Sequence, residues 1–265
     1  MFIDSHCHIE DDETAMRAYA VGVCGMLNAG KDVDEIAAQI EMCARFAQLR
    51  QQGKEAPLMW TSAGVHPDSA PQKLAQIKVE DLLKAAENPF VVAIGECGLD
   101  YYYGAEYQNE QKEMFVRHVE AAGISGMPIM IHQREAEADM LAILKEGKKK
   151  YPALSGVIHC FTSNQAFAEE VKALGFYISA SGIITFKSAQ DIAEVFKQYP
   201  MSKILIETDS PYLAPVPYRG KINEPAYVVK TAEKLAQLRE VEVSEIERIT
   251  EENFFNLYLK AKKNI

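Results

Sequence analysis

The stretch "FIDSHCHI", Phe2 to Ile9, reads as a β-strand close to the start of the chain. Side chains alternate faces along a strand. Asp4, His6 and His8 therefore share one face, and Ile3, Ser5, Cys7 and Ile9 share the other. A polar triplet on an otherwise apolar strand needs a partner, either water or a metal ion. The choice between them depends on what the rest of the chain brings to the same place.

Seven further apolar runs have strand character: Val21–Asn28, Leu58–Val65, Val91–Glu96, Ile129–His132, Gly156–Cys160, Tyr177–Ala180 and Lys203–Thr208. Amphipathic segments separate them. Val33, Ile36, Ala37, Ile40, Ala44 and Ala47, for example, recur at the three-and-four spacing of one helical face. Asn223-Glu224-Pro225 has the form of an N-cap followed by a helix-starting proline, and "SEIE" at Ser244–Glu247 that of a capping box. Eight strands alternating with eight helical segments in 265 residues predict an α/β chain folded as a single (β/α)8 TIM barrel spanning residues 1–265. A doubly wound open sheet is the alternative, weakened by the lack of a G-x-G-x-x-G after an early strand.

In such a barrel the chemistry sits at the C-terminal ends of the strands. The polar residues that end the apolar runs are His6 and His8, His66, Glu96, His132, His159 and Asp209. His66 to Glu96, Glu96 to His132 and His132 to His159 are each roughly one βα unit of about 30 residues apart. His8 to His66 and His159 to Asp209 are each roughly two. Of the six histidines only His118 falls elsewhere, inside a helical pattern. A lone histidine at a strand end is more often a hydrogen-bonded core or surface residue than a ligand. Five histidines and two carboxylates in register predict a metal site. Imidazole and carboxylate without thiolate suit zinc, manganese or iron, and with water magnesium.

Composition narrows the classes. The chain is 48% hydrophobic and 25% charged, which supports a globular core, and its net charge of -10 argues against a broad basic groove or an anionic membrane surface. It does not exclude a nucleic acid gripped locally. Five cysteines without a C-x-x-C pair indicate neither a disulfide framework nor a thiolate zinc cage. Without an 18-residue apolar run or a signal-peptide pattern, the expectation is a soluble, cytoplasmic protein with no membrane partner. Cys7, Cys97 and Cys160 each adjoin a proposed ligand. Alternation turns all three to the opposite face, towards the helices, as small buried hydrophobes.

The motifs "DSHCHI", "GVHP", "GECGLDYY", "IHQR", "HCFTSN" and "ETDSPYLAPVPYRGKINEP" resemble those of the TatD family of metal-dependent deoxyribonucleases, within the amidohydrolase-like barrels. The resemblance runs from Phe2 to the final helix. It implies two divalent ions per chain (zinc, magnesium or manganese): His6, His8 and Asp209 at one, His132 and His159 at the other, and Glu96 bridging. The implied reaction is hydrolysis of DNA phosphodiester bonds by a two-metal-activated water, with Asp209 and Glu96 catalytic. The chain departs from the family pattern at Tyr103, where an arginine is common, and at Ser163 and Asn164, where glycine and serine are usual.

Substrate phosphate is expected to meet His66, Arg134 and Arg219. His66 either touches the scissile phosphate or caps the loop at Pro67. Arg134 either orients a phosphate or forms a solvated salt bridge. Arg219, with Lys221, follows the eighth strand, where barrels bind phosphate, and arginine supplies a bidentate fork. Glu207 shares a face with Asp209 and is either a further ligand or a buried support. A recessed mouth with few cations suits a single-stranded or frayed DNA end, with no obligate protein partner. A second reading is a hydrolase of carboxylic esters or amides, such as an aminoacyl ester on RNA. A third is a metal-binding scaffold without activity.

Overall fold

The computed structural model describes residues 1–33 and 36–264, the last three by backbone alone. Eight parallel strands run in chain order around a nearly closed barrel: β1 (Phe2–Cys7), β2 (Val23–Asn28), β3 (Leu58–Ala63), β4 (Val91–Asp100), β5 (Ile129–Arg134), β6 (Gly156–Ile158), β7 (Tyr177–Ala180) and β8 (Ile204–Ile206). Helices connect them, and the (β/α)8 expectation holds over the open sheet. The seam between β8 and β1 is drawn together past the end of β8. There the Asp209 N–H donates to the His6 carbonyl at 3.0 Å and the His8 N–H to the Ser210 carbonyl at 2.8 Å. The buried Asp4 carboxylate accepts from Thr208, from its N–H at 3.0 Å and its hydroxyl at 2.6 Å.

Strand parity sorts the core. Val92, Met130, Val157, Tyr177 and Leu205 belong to one buried cluster with Phe254 and Phe255 from the C-terminal helix Val243–Leu257 and with Tyr258, the residue that ends it. Ile94, Ile129, Ile131, Ile158, Ile178, Ile204 and Ile206 belong to the other, with the residues of the surrounding helices. The first set faces into the barrel and the second outward, as a period of two requires. The inner set is covered from below: the Trp60 and Phe254 rings lie 5.0 Å apart, and Asn253 Nδ2 donates to the carbonyls of Met201 and Ile204 beside the start of β8. With the lower end filled by side chains, only the upper end can admit a ligand.

Several expected boundaries shift. β4 runs four residues past Glu96, and β5 two past His132. β1, β3, β6 and β8 stop short, so His8, His66, His159 and Asp209 lie just beyond their strands. Cys160 and Asp209 have φ of 44° and 54°, and such a turn ends the ladder and its alternation. Two helix starts are also corrected. Asn223 does not cap a helix: its Nδ2 donates to the carbonyls of Thr208 and Tyr212, and the following turn Pro225–Tyr227 begins after Glu224. The C-terminal helix begins after Glu242, so Ser244 lies inside its first turn rather than at the cap.

His118 lies on the helix Gln108–Ser125, fully buried. Its Nδ1 donates to the Met114 carbonyl at 2.8 Å, and its Nε2 accepts the Val65 N–H at 2.9 Å. That bond fixes the loop that carries His66. Burial pushes the imidazole down to about 4, against the hydrogen bond to Met114. A group depressed in the fold stabilises it fully above its unfolded value of 6.5 and loses that contribution as pH falls towards 4. Between pH 7 and 4.5 the wild type is expected to lose about 2–3 kcal/mol more stability than His118→Gln, whose side chain does not titrate. Urea unfolding of both proteins at the two pH values checks this; equal losses would remove the assignment.

Candidate metal centre

Side chains from six strands, or the turns that follow them, converge above the inner core. Their ligand atoms form two groups that meet at Glu96. In the first, His6 Nε2 and His8 Nε2 are 3.1 Å apart. They stand 3.4 and 3.5 Å from Glu96 Oε2, and 3.6 and 3.7 Å from Asp209 Oδ1. In the second, His159 Nε2, His132 Nδ1 and His66 Nε2 lie 2.9, 3.3 and 3.4 Å from Glu96 Oε1. The carboxylate thus offers one oxygen to each group. Donors at about 2.0–2.1 Å around a tetrahedral zinc stand roughly 3.3 Å from one another, and the first group matches that spacing. Glu96 Oε2 and His159 Nε2 are moreover buried without a hydrogen-bond partner. Such atoms are costly unless something binds them. The residues present fit divalent ions.

Each imidazole is held by its other nitrogen. His8 Nδ1 donates to the Ala29 carbonyl at 3.0 Å, and His132 Nε2 to Asp100 Oδ2 at 2.9 Å. His159 Nδ1 is 3.4 Å from Glu207 Oε1, and His66 Nδ1 is 2.5 Å from Asp68 Oδ1. His6 Nδ1 rests 3.1 Å from the Met130 sulfur. Carboxylate and carbonyl partners of this kind set tautomer and ring orientation at metal sites.

Charge at the centre is mutually adjusted. Burial alone would raise the Glu96 carboxyl, but the imidazoles of His159, His66 and His6 outweigh it and hold the group well below its usual value. Burial likewise opposes Glu207, which the His159 bond holds down. Burial would lower His66 and His159, yet Glu96 lifts His66 to about 9 and lifts His159 well above its usual value. These carboxylates attract positive charge strongly.

One segment carries no ligand and still organises the centre. After β2, three successive carbonyls each receive a site residue. Ala29 takes His8 Nδ1, Gly30 takes the Glu96 N–H at 2.8 Å, and Lys31 takes the His66 N–H at 2.8 Å. Gly30 has no room for a side chain, because a Cβ there would lie 2.4 Å from the Ser62 carbonyl oxygen.

The six expected ligands are together, and His66 joins them. It both bonds Asp68 at the turn after Pro67 and reaches Glu96, so the two readings of it are compatible. Glu207 is buried; it accepts the Cys160 N–H at 2.7 Å and a bond from the Ser179 hydroxyl, and it supports His159. Arg134 lines the cavity above the centre, of about 690 Å³, with its guanidinium 3.9 Å from the Tyr102 ring and 4.7 Å from Tyr103. It forms no salt bridge among the described residues. Arg219 and Lys221 are exposed on the loop after β8, Arg219 against the Phe186 ring at 3.7 Å, and Phe186 lines the cavity.

Cysteine placement splits. Cys7 and Cys97 are buried with the outward-facing core, as alternation requires. Cys160 is corrected: its positive φ breaks alternation, the residue lines the cavity, and its sulfur donates to Ser181 Oγ at 3.3 Å. Of the two other departures, Asn164 caps the helix Gln165–Ala173 by accepting the Phe167 N–H, and Ser163 bonds Glu137. Asp100 was missed because β4 was ended too early. Its parity with Glu96 along "GECGLD" is the signal that marks it.

A closed set of histidines and carboxylates at the mouth of a (β/α)8 barrel defines the class of metal-dependent hydrolases built on this scaffold. The model of the family described as TatD related DNase matches residues 3–259. The chain belongs to the TatD family. It is 39% identical to the uncharacterized metal-dependent hydrolase YcfH of Escherichia coli K12, over 97% of this chain and 95% of that one. It is 38% identical to the uncharacterized metal-dependent hydrolase YabD of Bacillus subtilis, over 97% and 99%. Among solved structures, the TatD homolog YJJV of E. coli K12 superposes with a TM-score of 0.81 at 24% identity, covering 97% of this chain and 98% of that one. The protein is thus a metal-dependent hydrolase. Among the described residues no helix is long and apolar enough to cross a membrane.

Gly30→Ala is expected to cost about 1–3 kcal/mol through the forced shift of its segment. Because the shift moves the carbonyls that hold Glu96 and His66, metal affinity should fall with it. Thermal unfolding and metal titration together test this; a less stable variant with unchanged metal affinity would show that the segment does not organise the centre.

Proposed function

We propose that the protein is a deoxyribonuclease that hydrolyses phosphodiester bonds at single-stranded or frayed DNA ends, using two divalent ions (zinc, magnesium or manganese). The observation that carries this is Glu96, whose two oxygens face separate donor sets at the floor of an open cavity with Arg134 above. The family description supports the same substrate. The phosphotriesterase homology protein of E. coli, which shares the fold (TM-score 0.66, 13% identity, covering 96% of this chain and 98% of that one), holds phosphate in its active site.

His6, His8 and Asp209 would hold one ion and His132 and His159 the other, with Glu96 shared between them. When bound, such a pair lowers the pKa of water and offsets charge on the phosphoryl group in the transition state. The remaining steps fall to the chain itself. Asp209, whose carboxyl is raised by burial against the opposing pull of His6 and His159, is placed to take a proton from the attacking water. Asp100, Glu207 and the Ala29 carbonyl keep three imidazoles aimed inward. His66 Nε2 can donate to a phosphate oxygen from the side opposite its Asp68 partner. Arg134 presents paired N–H donors that match phosphate geometry. The site is recessed, so a strand terminus enters more readily than an intact duplex.

Metal analysis is expected to find two ions per wild-type chain. Glu96→Ala should lose both, and His159→Ala should weaken one more than the other; full occupancy in Glu96→Ala removes the bridging role. Reconstituted enzyme would then be tested against end-labelled single- and double-stranded DNA, RNA and small carboxylic esters. Single-stranded DNA should be cleaved best, and chelation should abolish cleavage. Turnover of esters with DNA left intact would instead support the ester or amide hydrolase, which needs the same ligands.

A further inference from the structure

Several surface lysines sit on carboxylates: Lys73 on Asp32 at 2.9 Å, Lys112 on Asp139 at 3.3 Å, Lys145 on Glu170 at 2.6 Å and Lys150 on Glu120 at 2.8 Å. Lys31 makes no ion pair among the described residues. Its ammonium lies 5.2 Å from the centroid of the Tyr212 ring, and both side chains line the cavity. The Lys31 carbonyl is bound by the His66 N–H, and the preceding carbonyl by the Glu96 N–H. The lysine is therefore fixed relative to the centre through its own backbone.

Its location is as informative as its lack of a partner. Lys31 follows β2 and Tyr212 follows β8, the two strands that flank β1. Arg134, stacked on Tyr102 and Tyr103, ends β5, which is diametrically opposite β1 in an eight-stranded barrel. Two cations thus stand on opposite walls, each against an aromatic ring that lines the cavity, with Glu96 between them. Tyr212 and Tyr103 are 55% and 70% exposed, so their rings remain open to a ligand. A cation over a ring keeps its charge, whereas a cation on a carboxylate is neutralised. Single-stranded nucleic acid presents the matching features, alternating phosphates and flat bases.

We infer that Lys31 and Tyr212 form a second phosphate-binding position, which holds the phosphate one nucleotide away from the scissile bond while the adjoining base rests on Tyr212. The inference rests on the reading of this site as a DNA phosphodiesterase. It adds a specificity element: the preferred substrate carries at least two phosphates in one strand. A small neutral ester would engage the centre and leave Lys31 idle.

The test uses a fluorescent five-nucleotide DNA strand and the metal-loaded protein, with binding read by stopped-flow anisotropy before the strand is cleaved. Lys31→Met should weaken binding about tenfold and make the salt slope shallower by roughly 0.7, the share of one phosphate contact on a single strand. Lys31→Arg should preserve most of the affinity. A scan of single methylphosphonates through the strand should reveal one neutralised position at which the Lys31→Met difference disappears. If Lys31→Met binds every strand as its parent does, or weakens all of them equally, the position does not exist. Absence of binding by any strand also overturns it. If the otherwise wild-type enzyme cleaves DNA with no dependence on Lys31, this inference fails and the deoxyribonuclease reading stands. If binding depends on Lys31 at one phosphate and no strand is cleaved, the deoxyribonuclease reading fails and the phosphate position stands.

Discussion

The structure is organised around a carboxylate that has no business being buried alone. Glu96 is 2% exposed, at the centre of a barrel whose lower half is packed with apolar side chains. An ionised carboxylate in such surroundings is sustained only by donors and positive charge close at hand. His6, His8, His66, His132 and His159 supply them, from β1, β3, β5 and β6 or the turns that follow. No short segment can supply so many contacts. The need to surround one carboxylate from several sides is what a closed ring of strands answers, and it ties the chemistry of the site to the closure of the fold.

Closure and the site share atoms. The hydrogen bonds that draw the end of β8 against β1 run through His6, His8 and Asp209, all proposed ligands. Asp4, paired with the outward-facing Met26 and separated from His6 by a shift of register, reaches Thr208, the residue before Asp209. Movement of that seam would displace three ligand side chains together. The carbonyls after β2 do similar work on the other flank, where they hold His8, Glu96 and His66. Because each imidazole is also held at its second nitrogen, few soft degrees of freedom remain at the centre. Small errors of placement are costly in catalysis, and tethering of this kind limits them.

On the proposed reading as a deoxyribonuclease, an acidic protein would act on an acidic polymer and must confine its attraction to a small region. The net charge of -10 opposes approach at long range, but salt screens that opposition within about 8–10 Å. At the mouth two cations line the cavity. Arg134 and Lys31 are held against aromatic rings, and the carboxylates below would be directed at ions rather than at the substrate. Binding then depends on a few short-range contacts.

Much of this was legible in the chain. Eight apolar runs at regular spacing, each of several ending in histidine or carboxylate, were enough for the barrel and for bringing the six expected ligand side chains to one mouth, because period-two alternation and the length of a βα unit are local properties. What escaped shows where local rules stop. Asp100 lay beyond an early end to β4, although parity along the strand marks it. Cys160 was placed outward because alternation was carried past the ladder, into a residue with left-handed backbone. Asn223 and Ser244 have the composition of helix caps, yet tertiary hydrogen bonds and a different helix start gave them other positions. Lys31 had no motif at all. Nothing in one dimension separates a lysine after a ligand-free strand from any surface lysine; only the folding of β2 beside β1, and of the β8 loop over both, sets it against Tyr212 at the cavity. Sequence determined which residue types recur at strand ends, because that pattern is written residue by residue. The tertiary structure decided which nitrogen of each histidine points inward and which cations remain unpaired, because those depend on neighbours that closure of the barrel brings from distant parts of the chain.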